Sequence, residues 1–289
     1  MIELKYRSGW PPKPPSSAWE EKIGVHGACS GKVALVSGAS RGIGEHIARR
    51  LASEGALVAI SARTLEPDEP NLGSLRETAD SIVAAGGECH PVACDLARQE
   101  DRHALISEVQ RTLGPIDILV NNAAVTYLQP YESFPEKRWR LMVEVQLFAP
   151  FELGQLVVPS MRSRGGGWIL NVTSRAAIHP VGPPFDKVHQ MGFSVYGLVK
   201  AGLDRMTTAL AAELYADNIA VNALAPWDNV ATPGAGHHDL IDGFALEGPE
   251  WMAEAALLLC SQPPGKVTGR VAYSQPLLAE YNRRPSPSA

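Results

Sequence analysis

The chain has 289 residues, 45 % of them apolar, and a formal net charge of −5, which suits one large α/β domain or at most two small ones. Scattered lysines and arginines without a basic stripe argue against a nucleic-acid partner. No apolar run approaches membrane-spanning length and no signal-peptide core opens the chain, so a cytoplasmic protein is expected. Cys29, Cys89, Cys94 and Cys260 form no C-x-x-C pair and no histidine-spaced pattern, which predicts reduced structural thiols and no metal.

Residues 1–30, rich in proline, read as an irregular arm. Its Trp10 and Trp19 would pack on the same domain or on another subunit, unless the arm is a loosely held tail. KVALVSGAS predicts an apolar strand running into a glycine turn; a helix follows over 42–54, stopped by Gly55. ALVAIS (56–61) is a second strand, LRETADSIVAAG a helix ending at Gly86–Gly87, and ECHPVACDL a third strand. A helix over 98–113 precedes a fourth strand, IDILVNNAA, and a long helix spans about 135–163. WILNVTS (168–174) is the fifth strand, and a loop of glycine, proline and aromatics covers 176–193. The helix carrying Tyr196 runs to about 216, followed by a strand IAVNALAP (219–226). A helix near 248–261 and a short strand GRVAYS (269–274) close the pattern, and 277–289 reads as a C-terminal tail. Near-continuous apolar strands alternating with helices predict α/β architecture: a doubly wound parallel sheet, a single domain over 31–276 with helices on both faces.

In GASRGIG the glycines Gly38, Gly42 and Gly44 are spaced G-x-x-x-G-x-G at the first strand–helix junction. Glycine lets the backbone turn sharply and approach a pyrophosphate, which then sits at the positive end of the next helix. At the end of the second strand, where an NAD site usually has an acid, the chain reads Ser61-Ala62-Arg63-Thr64. Arg63, with Arg41 in the glycine turn, suits a 2′-phosphate, so NADP is expected over NAD. Glu66 or Asp68 would supply the missing acid if NAD were used instead. Tyr196 and Lys200 lie one helical turn apart and project from one face. A neighbouring ammonium favours phenolate, so Lys200 is expected to lower the pKa of Tyr196 towards the working range. Tyr196 is then the candidate acid/base of a hydride transfer, and Ser174 the donor to the substrate oxygen.

These motifs occur in one order: SGASRGIG, Asp95-Leu96, NNAA (121–124), Ser174, YGLVK (196–200) and NALAP with Thr232. Over residues 30–275 the chain resembles the short-chain dehydrogenase/reductase family, which implies a Rossmann-type fold. The resemblance implies that Gly38, Ser40, Arg41, Gly42, Ile43 and Gly44 cradle the dinucleotide. Asp95 and Leu96 would meet the adenine, and Asn122 and Ala123 its ribose. Lys200 would bind the nicotinamide ribose as well as tune Tyr196. Pro226, Val230 and Thr232 would border the nicotinamide.

The chain departs from the family pattern in four places. Gln146 stands where the family has an asparagine that completes a proton relay. The gap from Ser174 to Tyr196 is unusually wide, and its loop carries Phe185 and Phe193, an apolar lid suited to an apolar substrate. Pro226-Trp227 replaces Pro-Gly, and Trp227 would narrow the pocket. GRVAYSQPLLAEY replaces the usual Asp-Gly-Gly ending. The expected activity is an NADP-dependent oxidoreductase interconverting an apolar secondary alcohol and its ketone, in a homodimer or homotetramer. The alternatives are an enoyl-thioester reductase and a catalytically idle, cofactor-binding regulatory protein.

Overall fold

The computed structural model describes residues 27–66, 73–185, 191–230 and 245–285. The arm up to residue 26, with Trp10 and Trp19, as well as Asp68 and Thr232, lies outside the described residues.

The strand and helix order follows the apolar pattern. Val33–Ser37 (β1) leads through the glycine turn into Gly42–Ser53 (α1), then Leu57–Ala62 (β2), Leu75–Ala84 (α2) and Glu88–Ala93 (β3). Gln99–Thr112 (α3) and Ile118–Asn121 (β4) follow. The long helix is continuous over Glu136–Ser163 but has three parts: Glu136–Val143 (α4), a π turn at Glu144–Phe148, and Ala149–Ser163 (α5). Gly167–Val172 (β5), Ser194–Glu213 (α6) and Ile219–Ala225 (β6) come next. Two short strands, Asn229–Val230 (β7) and Leu246–Glu247 (β8), pair in parallel. Pro249–Ser261 (α7), Val271–Tyr273 (β9) and Ser274–Glu280 (α8) complete the fold.

Seven parallel strands form the central sheet in the order β3-β2-β1-β4-β5-β6-β9. The chain leaves β1 towards β2 and β3, then crosses back to lay β4 on the other side of β1. Between β1 and β4 the winding reverses and a crevice opens at the carboxyl edge, where open α/β sheets bind ligands. β1 and β4 are buried on both faces. One face packs Ile47 and Leu51 of α1, Ile82 of α2, and Leu257 and Leu258 of α7. The other packs Leu105 and Val109 of α3, and Leu153, Val157 and Met161 of α5. At the edge, β3 carries Pro91, paired inward with Ile60, while the opposite edge strand β9 has three residues.

Two sequence expectations need correction. Residues 277–280 are not a tail: α8 buries Leu277 and Leu278, at 2 % and 0 % exposure, in the core that holds α7. Pro276 sits in the first turn of α8, where proline removes no bond that the helix would have made. Further, Glu136–Ser163 is long and apolar enough to cross a membrane by length and composition, although no single apolar run is evident in the sequence. In this fold its Leu153, Val157 and Met161 are in the core instead.

Candidate active site

The glycine turn is shaped by contacts that exclude side chains. Gly38 and Gly42 have φ of +66° and +61°, in the left-handed region. A Cβ on Gly38 would lie 2.6 Å from the Ala123 Cα, and one on Gly44 would lie 2.4 Å from the Gly38 carbonyl oxygen. Asn122 fastens β4 to the turn: its Nδ2 donates to the carbonyls of Ser37 and Gly38 at 3.0 and 2.9 Å. The expected place of Asn122 at a ribose is therefore taken in part by this structural duty. Ala123 N donates to Ser37 Oγ at 3.3 Å. Arg41 occupies the N-cap of α1 in extended conformation and makes no side-chain capping bond, and Ser40 and Ile43 are partly buried beside it. The first amides of α1 are thus uncapped donors that fit a pyrophosphate. The sequence reading missed Gly73 (φ +100°), whose Cβ would lie 2.6 Å from the Ser40 carbonyl.

Arg63 is exposed at the end of β2. Glu66, one of the two acids considered for an NAD ribose, is 2.9 Å from Arg76 in an ion pair. Past β3, Asp95 Oδ1 accepts from Ala97 N at 3.0 Å, a turn that orients the carboxylate. Leu96 is buried, and its carbonyl accepts from Arg102 Nη1 at 2.6 Å.

Ser174 lies two residues beyond β5 and accepts from Ala176 N at 3.2 Å, starting a single 3-10 turn over Arg175–Ala177. The Tyr196 side chain is hydrogen-bonded to those of Ser174 and Thr126. Lys200, only 3 % exposed, follows one turn later on α6 and donates to the Val172 carbonyl at 2.9 Å. Its Nζ sits 5.8 Å from the centroid of the Tyr196 ring. The sequence therefore brings Ser174, Tyr196 and Lys200 together as expected.

The electrostatics differ from the expectation. Burial raises the Tyr196 pKa, and the bonds from Ser174 and Thr126 only partly offset it. Lys200 lies over the ring face, and its expected lowering of the phenol does not prevail. Burial also lowers Lys200 to about 8, against the pull of Asp204 one turn further along α6. Neither Thr126 nor Asp204 was singled out in sequence. Asp204 shares the i, i+4 spacing of Tyr196 and Lys200, and that signal could have found it.

Gln146 belongs to the π turn, where the helix widens and aims the side chain at the loop after β4. Its Nε2 donates to the Val125 carbonyl at 2.8 Å, next to Thr126, while its Oε1 is a buried acceptor without a protein partner. The extra methylene thus leaves the amide beside Thr126, which bonds Tyr196.

On the substrate side, Phe193 packs on Tyr196 with ring centroids 6.4 Å apart. Phe185 lies earlier in the loop, over Gly182, and is 51 % exposed. Pro226 is partly buried, and Val230 turns its side chain into the core. Trp227 has the Arg175 guanidinium 4.9 Å above its ring and Tyr273 edge-on at 6.0 Å. Behind it stands Glu247, which the sequence reading also missed. This carboxylate is 4 % exposed and accepts from Ser274 Oγ at 2.7 Å and Gln275 Nε2 at 2.9 Å. Burial raises its pKa in spite of these bonds.

A glycine turn and a Ser–Tyr–Lys face on the carboxyl edge of a doubly wound sheet define a Rossmann-type, dinucleotide-binding architecture. The family model for short chain dehydrogenases matches residues 32–235, and the chain belongs to the short-chain dehydrogenase/reductase family of oxidoreductases. The 7alpha-hydroxysteroid dehydrogenase of Escherichia coli (strain K12) is 32 % identical over 250 residues, covering 83 % of this chain and 91 % of that protein. A solved 7 alpha-hydroxysteroid dehydrogenase complexed with NADH and 7-oxo glycochenodeoxycholic acid is 30 % identical. It has a TM-score of 0.74, with 85 % and 93 % of the two chains covered. A metagenomic short-chain oxidoreductase in complex with NADP is 32 % identical with a TM-score of 0.70, covering 85 % of this chain and 97 % of that one.

Proposed function

We propose that the protein interconverts an apolar secondary alcohol and its ketone with NADP, Tyr196 acting as the acid/base. The observation that carries this reading is the hydroxyl of Tyr196, hydrogen-bonded to Ser174 at the sheet's carboxyl edge with Lys200 over its ring. When bound, the nicotinamide group supplies or accepts the hydride. Ser174 donates to the substrate oxygen and stabilises the charge that develops on it during reduction. Tyr196 gives its proton to that oxygen in reduction and takes one in oxidation. Lys200 holds the nicotinamide ribose, and Gln146 Oε1 is the acceptor through which a water joins the proton route.

Gly38, Ser40, Arg41, Gly42, Ile43 and Gly44 hold the pyrophosphate, and Arg41 and Arg63 take the 2′-phosphate in preference to a ribose hydroxyl. Asp95 and Leu96 hold the adenine, and Ala123 borders its ribose. Pro226, the backbone of Val230, and Thr232 lie along the nicotinamide, while Trp227 and Phe193 wall the substrate side. The four unpaired thiols suit a reducing compartment, and we place the protein in the cytoplasm, as a homodimer or homotetramer.

The test is NADPH oxidation over a panel of apolar ketones, with Tyr196→Phe as the variant. Turnover should fall at least about a hundredfold, the lower end of general acid–base contributions, while NADPH affinity is kept. Full turnover in Tyr196→Phe would remove the reading.

A further inference from the structure

We propose that Arg175 is a preformed anchor for a carboxylate on the substrate, so that the compounds turned over are hydroxy or keto acids with an apolar body. This deepens the functional reading above and rests on it.

Arg175 directly follows Ser174 and is exposed, yet it is held in one place. Its Nη1 donates to the Trp227 carbonyl at 2.8 Å, and its guanidinium carbon sits over the Trp227 ring, 4.9 Å from the centroid. An exposed arginine otherwise keeps its rotamer freedom, and fixing the fork in advance removes that cost from ligand binding.

The surface under Arg175 is itself fixed. Trp227 N donates to Ser274 Oγ at 2.9 Å, and Ser274 Oγ donates in turn to the buried Glu247. Tyr273 abuts the Trp227 ring from the side.

Among the described residues no carboxylate pairs with Arg175. The acids nearby are engaged elsewhere: Asp204, which shares the neighbour Tyr273 with Arg175, is hydrogen-bonded to the Thr173 side chain and faces Lys200. Glu247 takes bonds from Ser274 and Gln275, and Asp228 Oδ2 accepts from Gln275 at 3.4 Å. The cation is therefore positioned, uncompensated and next to the residue that meets the substrate oxygen. One N–H edge remains for a carboxylate, which arginine grips through paired donors.

The topology separates this cation from the cofactor's 2′-phosphate. Arg175 follows β5 and Arg63 follows β2, three strand spacings away, or about 14 Å. An anion held at Arg175 is therefore not the cofactor's 2′-phosphate, and it lies one residue from Ser174, where the proposed reaction places the substrate oxygen.

The test is calorimetric titration of 4-phenylbutyrate and its neutral analogue 4-phenylbutyramide into the full chain, with and without NADP. The carboxylate should bind about tenfold more tightly than the amide, the worth of a charged hydrogen-bond pair. Arg175→Gln should bring that ratio close to one, Arg175→Lys should keep part of it, and added salt should shrink it. Glu247→Gln, which loosens the ledge under Trp227, should lower the ratio to an intermediate value. Absent carboxylate binding, equal affinity for the two probes, or equal losses of both in Arg175→Gln overturns the anchor. Because the readout is binding, an anchor present without turnover of any ketone would fail the oxidoreductase reading alone.

Discussion

Burial decides the charge state of the two groups that matter most. Lys200 is lowered from 10.5 to about 8, so below about pH 8 the folded state holds a charged ammonium it solvates poorly. A lysine with a depressed folded pKa subtracts stability while both states are protonated. That penalty is full below about pH 8, shrinks as the pH rises towards 10.5, and disappears above it. At about 1.4 kcal/mol per pKa unit the penalty is on the order of 3 kcal/mol. Lys200→Met should therefore gain more stability over the wild type at pH 7 than at pH 10.5, read as the difference in melting temperature. The lost bond to the Val172 carbonyl offsets the gain by about 1 kcal/mol at every pH, so a pH-independent difference would refute the argument. The i, i+4 spacing of Tyr196 and Lys200 was legible in sequence. The direction of the Tyr196 shift was not, because spacing tells which groups are neighbours and not how much water reaches them.

At the scale of elements, the glycine turn was the most legible part, since glycine takes the positive φ found at Gly38 and Gly42 without strain. The π turn was hidden. One added residue in a helical turn leaves the apolar pattern on either side almost intact, so 135–163 reads as plain helix. Arg102 clamps this turn between its neighbours. It is 5 % exposed, pairs with Glu144 at 2.7 Å and also with Glu152, and holds the Leu96 carbonyl. Arg102→Met leaves Glu152 without its main cation and should cost about 3 kcal/mol, seen as a lower urea midpoint. Because Leu96 loses its anchor, NADPH should also bind more weakly. An unchanged midpoint would mean the clamp is ornamental.

Across the whole molecule the doubly wound sheet followed from the run of apolar strands, whereas the closing helix α8 did not. Two leucines after a Gln-Pro pair give too short a pattern to separate helix from tail. Their burial makes α8 part of the domain, so Leu278→Ala should cost about 2–5 kcal/mol in a thermal melt. Ending the chain at Tyr273 should yield insoluble protein; a true tail would be removed without consequence.

The two borders of the sheet bear on how copies of the chain can meet. Pro91 has no N–H to offer on the outer side of β3, and β9 turns into α8 after three residues. Among the described residues neither border is a template for strand addition, so the sheet resists fibrillar growth.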